Sequence, residues 1–243
     1  MKNCYSHIIK RTGVKIKATL LVLAAALAAG CAKQGMPSGG NKDVTPPQTR
    51  RMSPPNGTLN RQVQNFYIEF DEYVVIKDAE NNILISPPMK QSPDVKTKGK
   101  GIKVTIKDTL LPNTTYLFQF KEAIADFNEG NLLPSMEYVF STGNYIDSMM
   151  LKGNVVDALT LEPDKEMVKV WLLDDDRYRQ AVAAMSDTNV TPPQPNYTTR
   201  TDKGGLFCFN NIKPGDYHII AIKDEDKNNV VGSNETVAFV DTT

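Results

Sequence analysis

Tyr116-Leu117-Phe118-Gln119-Phe120 places an aromatic ring on every second residue. Side chains alternate across a strand, so this spacing gives one apolar face. The same period recurs earlier in the chain. Phe66, Ile68 and Phe70 alternate with Tyr67 and Glu69, and Ile102, Val104 and Ile106 alternate with Lys103 and Thr105. Each stretch reads as a half-buried strand. Turn chemistry separates them at Pro54-Pro55-Asn56-Gly57, Asn81-Asn82, Pro87-Pro88, Lys98-Gly99-Lys100-Gly101, Pro112-Asn113 and Glu129-Gly130-Asn131. Short strands at such intervals predict a β-sandwich over residues 49–143.

A second β-rich unit follows over residues 150–243. Val168, Val170 and Leu172 alternate along one strand, Phe207 and Phe209 along another, and Tyr217, Ile219 and Ala221 along a third. Residues 174–200 interrupt the pattern with Asp174-Asp175-Asp176, a helix-compatible QAVAAM and a Pro-rich stretch. Such a long insertion between strands is either functional or disordered. The fold class is therefore all-β, as two tandem sandwiches.

Two resemblances refine this. Ser53-Pro54-Pro55-Asn56-Gly57, Ile68-Glu69-Phe70-Asp71-Glu72-Tyr73-Val74, Leu111-Pro112-Asn113-Thr114-Thr115-Tyr116 and Phe140-Ser141-Thr142-Gly143 follow one another in the order of a bacterial Ig-like domain of the S-layer-protein type, which the segment resembles. The resemblance implies a fold and an extracytoplasmic setting, not an activity. Thr201-Asp202-Lys203-Gly204-Gly205-Leu206-Phe207-Cys208-Phe209, then Ile212-Lys213-Pro214-Gly215-Asp216-Tyr217, resembles the carboxypeptidase-regulatory-like (prealbumin-type) β-sandwich. Gly153-Asn154-Val155-Val156-Asp157-Ala158 matches that family's opening strand and turn. The resemblance implies no peptidase site. It also implies that related chains run further, so residues 150–243 read as a truncated or short member with an edge open to a partner strand.

The N-terminus reads as an address. Lys2, Lys10, Arg11, Lys15 and Lys17 precede the apolar stretch 18–30, and no acid occurs before Asp43. As a helix that stretch rises roughly 20 Å, too short for a hydrocarbon core of about 30 Å. A signal peptide over residues 1–30 fits better than a span. Leu27-Ala28-Ala29-Gly30-Cys31 resembles the bacterial lipobox. That implies lipidation of Cys31 by diacylglycerol (with fatty acyl chains such as palmitate) and cleavage that leaves it first. Residues 31–48 are Gly, Pro, Ser and Lys with few bulky apolar groups and read as a flexible tether. No Asp directly follows Cys31, so the expected location is the outer membrane facing the periplasm, with surface display as the alternative.

Composition narrows the chemistry. The chain of 243 residues balances 28 Lys+Arg against 28 Asp+Glu, which leaves no basic footprint for nucleic acid. Removing the five basic residues of the signal leaves 23 basic against 28 acidic, a formal charge of about −5. Only Cys31, expected to be lipidated, and Cys208 then remain, so no internal disulfide is expected. His218 is the one remaining histidine, which argues against His-rich zinc sites and most His-based hydrolases.

Five constellations are candidates for chemistry. Asp224, Asp226 and Asn228 have the D-x-D-x-N spacing of a calcium loop, although Asn229 stands where the turn glycine belongs; the plainer reading is a solvated acidic turn. Asp126, Asn128 and Glu129 form a second acidic turn in which Asn and Gly chiefly supply positive φ. Asp71 and Glu72 are adjacent, so in a strand they would face opposite ways and make no glycosidase pair. Cys208 and His218 lie on strands that could be neighbours, yet no orienting third residue is visible. Trp171, Tyr178 and Tyr197 flank the insertion and could stack on a glycan or grip a protein, unless Trp171 is packed. The expectation is a non-catalytic envelope lipoprotein, a structural or binding module that needs no cofactor. The alternatives are a calcium-dependent adhesin or glycan-binding protein, and an accessory subunit of an outer-membrane complex.

Overall fold

The computed structural model describes residues 40–187, 189–224 and 235–239. The signal peptide, Cys31, Asp226 and Asn228 lie outside them. Residues 43–243 form one compact unit.

Ten strands build the first half: β1 (Thr49–Ser53), β2 (Asn65–Phe70), β3 (Val74–Ile76), β4 (Ile83–Ser86), β5 (Asp94–Thr97), β6 (Gly101–Thr105), β7 (Thr115–Phe120), β8 (Ile124–Asp126), β9 (Leu132–Leu133) and β10 (Met136–Ser141). A single helical turn, α1 (Ala79–Asn82), precedes β4. The strands pair antiparallel in sheets ordered β1-β2-β6-β5, β10-β7-β4 and β3-β8-β9. Phe66, Ile68, Phe70, Ile102, Val104, Tyr116, Phe118 and Phe120 all enter one core, so the period-2 reading holds on every strand that suggested it. Phe66 stacks on Tyr138 at 4.0 Å and meets Phe118 edge-on at 5.0 Å.

The recurring motifs act as locks between turns and strands. Asn56 Oδ1 accepts from Val139 N at 2.7 Å, and Gly57 N donates to Val139 O at 2.8 Å with φ +82. Leu111 N donates to the Tyr116 hydroxyl at 2.8 Å, and the Thr142 hydroxyl donates to Leu111 O at 2.7 Å. The hydroxyl of a strand-leading tyrosine thus holds the preceding loop, as in the tyrosine corner of Ig sandwiches. One expectation changes at the N-terminal edge. Pro47 is buried, Gln48 N donates to Asp71 Oδ1 at 2.8 Å, and Asn131 Nδ2 donates to Asp43 O at 3.1 Å. Residues 43–48, read as tether from their composition, are bound into the compact unit.

Among the described residues, six strands build the second half: β11 (Met149–Asn154), β12 (Lys169–Leu173), β13 (Tyr197–Arg200), β14 (Leu206–Ile212), β15 (His218–Lys223) and β16 (Thr236–Phe239). They form a two-stranded sheet β11-β14 and a four-stranded sheet β13-β12-β15-β16. Val168, Val170, Leu172, Tyr197, Phe207, Phe209 and Ala221 gather in one core. Tight turns lead into these strands. Asp202 Oδ1 accepts from Gly204 N at 2.8 Å and Leu206 N at 2.9 Å, and Gly205 adopts φ +77.

The long insertion is neither a disordered loop nor an open one. Residues Asp175–Ser186 form helix α2. Asp174 caps it by accepting from Arg177 N at 3.0 Å, and Asp175 and Asp176 place negative charge at the positive end of the helix. Ala181 and Ala184 are buried along one face. Trp171, Leu173, Ile220 and Ile222 form a second apolar surface, on the opposite side of the four-stranded sheet from the core, and α2 covers it.

Candidate functional site

Strand β7 is buried along its whole length, including Leu117 and Gln119. Those two point away from the core that Phe118 and Phe120 fill. The half-buried strand expected here is therefore covered on both faces. The cover is the second half of the chain. Gln119 Nε2 donates to Glu137 Oε1 at 2.8 Å, and Asn210 Nδ2 of β14 donates to the same oxygen at 3.0 Å. Asn211 Nδ2 donates to Asp147 O at 2.8 Å, and Lys213 Nζ donates to Asn113 O at 2.9 Å. Polar side chains suit such a junction, because each buried donor finds a partner.

Beside this junction lies a cleft of about 620 Å³. On one side stand α1, β4 and residues 88–93; on the other stand β12, β13 and residues 165–167. Arg200, at the end of β13, forms part of its lining and is only 8% exposed. It donates from Nη1 to Asn81 O at 2.7 Å and from Nη2 to Asn82 Oδ1 at 2.8 Å. Both acceptors are neutral and belong to the first half. Burial lowers the Arg200 pKa, and the charges of Glu122 and Asp78 oppose that shift. Lys169 is the cross-strand partner of Arg200. Directly opposed residues of an antiparallel pair share a face, so two cations sit side by side. Lys169 Nζ bonds Asp224 Oδ2 at 2.5 Å.

The residues singled out from sequence fall as follows. The Asp224 side chain is 1% exposed and paired with Lys169, so at this position the solvated-turn reading fails. Asp126 is also buried, and its role is more than turn chemistry. Its Oδ1 accepts from Glu129 N at 2.6 Å and Gly130 N at 3.0 Å, and its Oδ2 accepts from Asn131 N at 2.7 Å. Burial alone would raise its pKa, but the backbone donors outweigh it and the net shift is downward. A depressed folded pKa contributes stability that is present above the unfolded value near 4 and is lost as pH falls toward the folded value. Asp126→Asn is expected to lower Tm by several degrees at neutral pH. Thermal melts between about pH 3 and pH 7 should show that gap closing at the acid end; a gap independent of pH would contradict the assignment.

Cys208 and His218 do not meet as a pair of neighbouring strands would bring them. Cys208 is on β14, which pairs with β11, whereas His218 is on β15, which pairs with β12 and β16. Consecutive strands of a sandwich commonly change sheets, which defeats a reading based on chain order. His218 Nε2 lies 2.8 Å from Asp175 Oδ1, and the Tyr178 ring stacks on its imidazole at 4.0 Å. The Asp175 pKa is lowered first by His218 and then by Arg179. Asp175, Tyr178 and His218 thereby staple α2 to the sheet. The plainer reading of the aromatics beside the insertion, with Trp171 packed, is the one the structure shows. Trp171 is 2% exposed beneath α2, Tyr197 is buried in the core, and Tyr178 is engaged by His218. Asp71 and Glu72 lie in a bend after β2, with Asp71 holding the backbone of Gln48. Among the described residues, no cluster of His, Cys, Asp and Glu could hold a metal ion, and no helix is long and apolar enough to cross a membrane. Arg200 gave no local signal in the sequence; only the register of β13 against β12 reveals its place.

Comparison with known proteins bears on the first half. The family model described as a bacterial Ig-like domain matches residues 43–142. That start coincides with the first residue of the compact unit. No curated protein matches the chain. Among solved structures, the L,D-transpeptidase from Mycobacterium smegmatis is similar over 66% of this chain and 78% of its own, at 13% identity and a TM-score of 0.27. The N-terminal part of the bacterial S-layer protein SbsC is similar over 81% of this chain and 44% of its own, at 12% identity and a TM-score of 0.28. The major pilin subunit of Bacillus cereus, BcpA, is similar over 80% and 66%, at 11% identity and a TM-score of 0.20.

Proposed function

We propose that this chain is a cell-envelope lipoprotein, held to the membrane by lipid on Cys31, and that its β-rich body is a non-catalytic structural or binding module. The observation that carries the reading is the bacterial Ig-like match over residues 43–142. The packing of the second half against the first supports it, because Asn210, Lys213 and Arg200 bond across the junction and Asn211 bonds Asp147 in the connector. A body braced in this way suits a scaffold or a receptor surface better than a flexible linker. We read the second half as a carboxypeptidase-regulatory-like sandwich, in keeping with the turn built by Asp202 and Gly205.

The anchor is tested by Cys31→Ser. One diacylglyceryl chain pair and an N-terminal acyl group hold a protein on a bilayer through the burial of many methylenes, each worth about 0.8 kcal/mol. The variant is expected to leave the membrane fraction almost entirely and to lose incorporation of labelled palmitate. Retention of the variant in membranes would refute a lipid anchor at Cys31. Protease shaving of intact cells then separates the two locations. Loss of the protein alongside an intact periplasmic control places the body at the surface; protection until the outer membrane is breached places it in the periplasm.

A further inference from the structure

We infer that the junction cleft is a binding site for a small organic monocarboxylate, held by the guanidinium of Arg200. Arginine stays protonated at any physiological pH. Burying such a charge against neutral acceptors alone is costly, which is why buried charges are ordinarily paired. Arg200 is more than nine-tenths buried and bonds only to Asn81 O and Asn82 Oδ1. Among the described residues no ion pair includes it. Its cross-strand neighbour Lys169 adds a second cation on the same face, and Lys169 already has Asp224 as its partner. Glu122 and Asp78 act on the charge of Arg200 from a distance, but no carboxylate among the described residues stands within ion-pair reach of its guanidinium.

Two of the five guanidinium N–H donors are used on the two asparagines, which leaves three for a ligand. The planar fork of arginine matches a carboxylate in shape. The rest of the lining defines the body and charge of the ligand. Lys165 and Lys203 add positive potential at the rim, while Asp78, Glu80 and Glu166 disfavour a second negative charge. Leu84, on the face of β4 turned away from the first core, and Pro88 add apolar lining. The volume of about 620 Å³ falls within the range of small-molecule sites. This assignment deepens the reading of the body as a binding module, and it is tested separately from the anchor at Cys31, since either can fail while the other stands.

The test is titration calorimetry of the full chain, purified in detergent, with matched acid and neutral probes. N-acetylphenylalanine is compared with its amide, and galacturonate with galactose. At least one acid is expected to bind in the micromolar to millimolar range, with its neutral analogue at least about tenfold weaker. Arg200→Gln keeps a donor for Asn81 O but removes the charge, and is expected to erase the preference for the acid. Because Arg200 also braces the junction, Lys203→Glu provides a second variant at an exposed turn position. It is expected to weaken acid binding severalfold and leave Tm unchanged. The acid that binds tells whether the body is apolar or a sugar. Equal binding of acid and neutral partner in both pairs, or no binding of either acid, would overturn the inference.

Discussion

Phe118→Ala is expected to lower the stability of the whole body by about 3–5 kcal/mol, the range for truncating a buried phenylalanine. Phe118 is fully buried at the centre of the first core, edge-on to Phe66 and 6.3 Å from Phe140. Strand β7 is paired on both sides, with β10 and with β4, so the cavity cannot close by moving an edge. A domain with a net stability of about 5–15 kcal/mol loses a large part of it. The junction makes a sharper statement available. Leu117 and Gln119, flanking Phe118 on the same strand, form the surface on which the second half packs. The sole tryptophan, Trp171, lies in that second half beneath α2. If the junction couples the halves, Trp171 fluorescence should report the lowered melting transition of the variant together with circular dichroism. A Trp171 transition that stays at its wild-type temperature while the first half melts early would show that the halves unfold independently.

The strands around Phe118 were legible in the sequence because alternation reports which side chains share a face. It does not report what covers the other face. Gln119 alternates with the core aromatics as a solvent-facing residue would, yet it bonds Glu137, which in turn accepts from Asn210 across the junction, where a polar residue is as well satisfied as in water. The same limit applies to β12. Val168, Val170 and Leu172 drew attention to one face, while Trp171 and Leu173 on the other make the stretch an almost unbroken apolar run, which marks a strand buried on both sides. Helix α2, which covers that second face, buries only Ala181 and Ala184 as fully enclosed positions, too faint a stripe to stand out. The turn at Asp202 and Gly205 is legible because its bonds close within a few residues. Arg200 was not legible at all. Its burial depends on Asn81 and Asn82, more than a hundred residues away in the chain, and on a register that places it beside Lys169. The pairing of Cys208 with His218 failed for the same reason, since sheet membership is a long-range property.

Gly101→Ala is expected to be the most damaging single-methyl addition in the first half. Gly101 closes the turn from β5 into β6: Lys98 N donates to Gly101 O at 2.8 Å, and Gly101 N donates back to Lys98 O at 3.2 Å. A Cβ there would lie 2.3 Å from the carbonyl oxygen of Ile68 and 2.6 Å from the Tyr67 ring. The ring could swing away, at the expense of the 2.9 Å bond from its hydroxyl to Lys98 O. The Ile68 oxygen is backbone in a central strand and has nowhere to go. Relief therefore requires parting β2 from β6 at this end, which would also strain the bond from Phe70 N to Lys100 O at 2.8 Å. Overpacking of this kind costs about 3 kcal/mol when the obstacle is rigid. Gly99, two residues earlier in the same turn, provides the control. It has φ +57 and only the Tyr67 hydroxyl at 4.0 Å from a built Cβ. Its replacement by alanine meets no clash and carries only the left-handed backbone penalty of about 1–2 kcal/mol. Denaturant melts should thus place Gly101→Ala clearly below Gly99→Ala in midpoint. Equal midpoints would mean that β2 and β6 can separate at the turn without loss, and that the close approach of their backbones is not what holds the register.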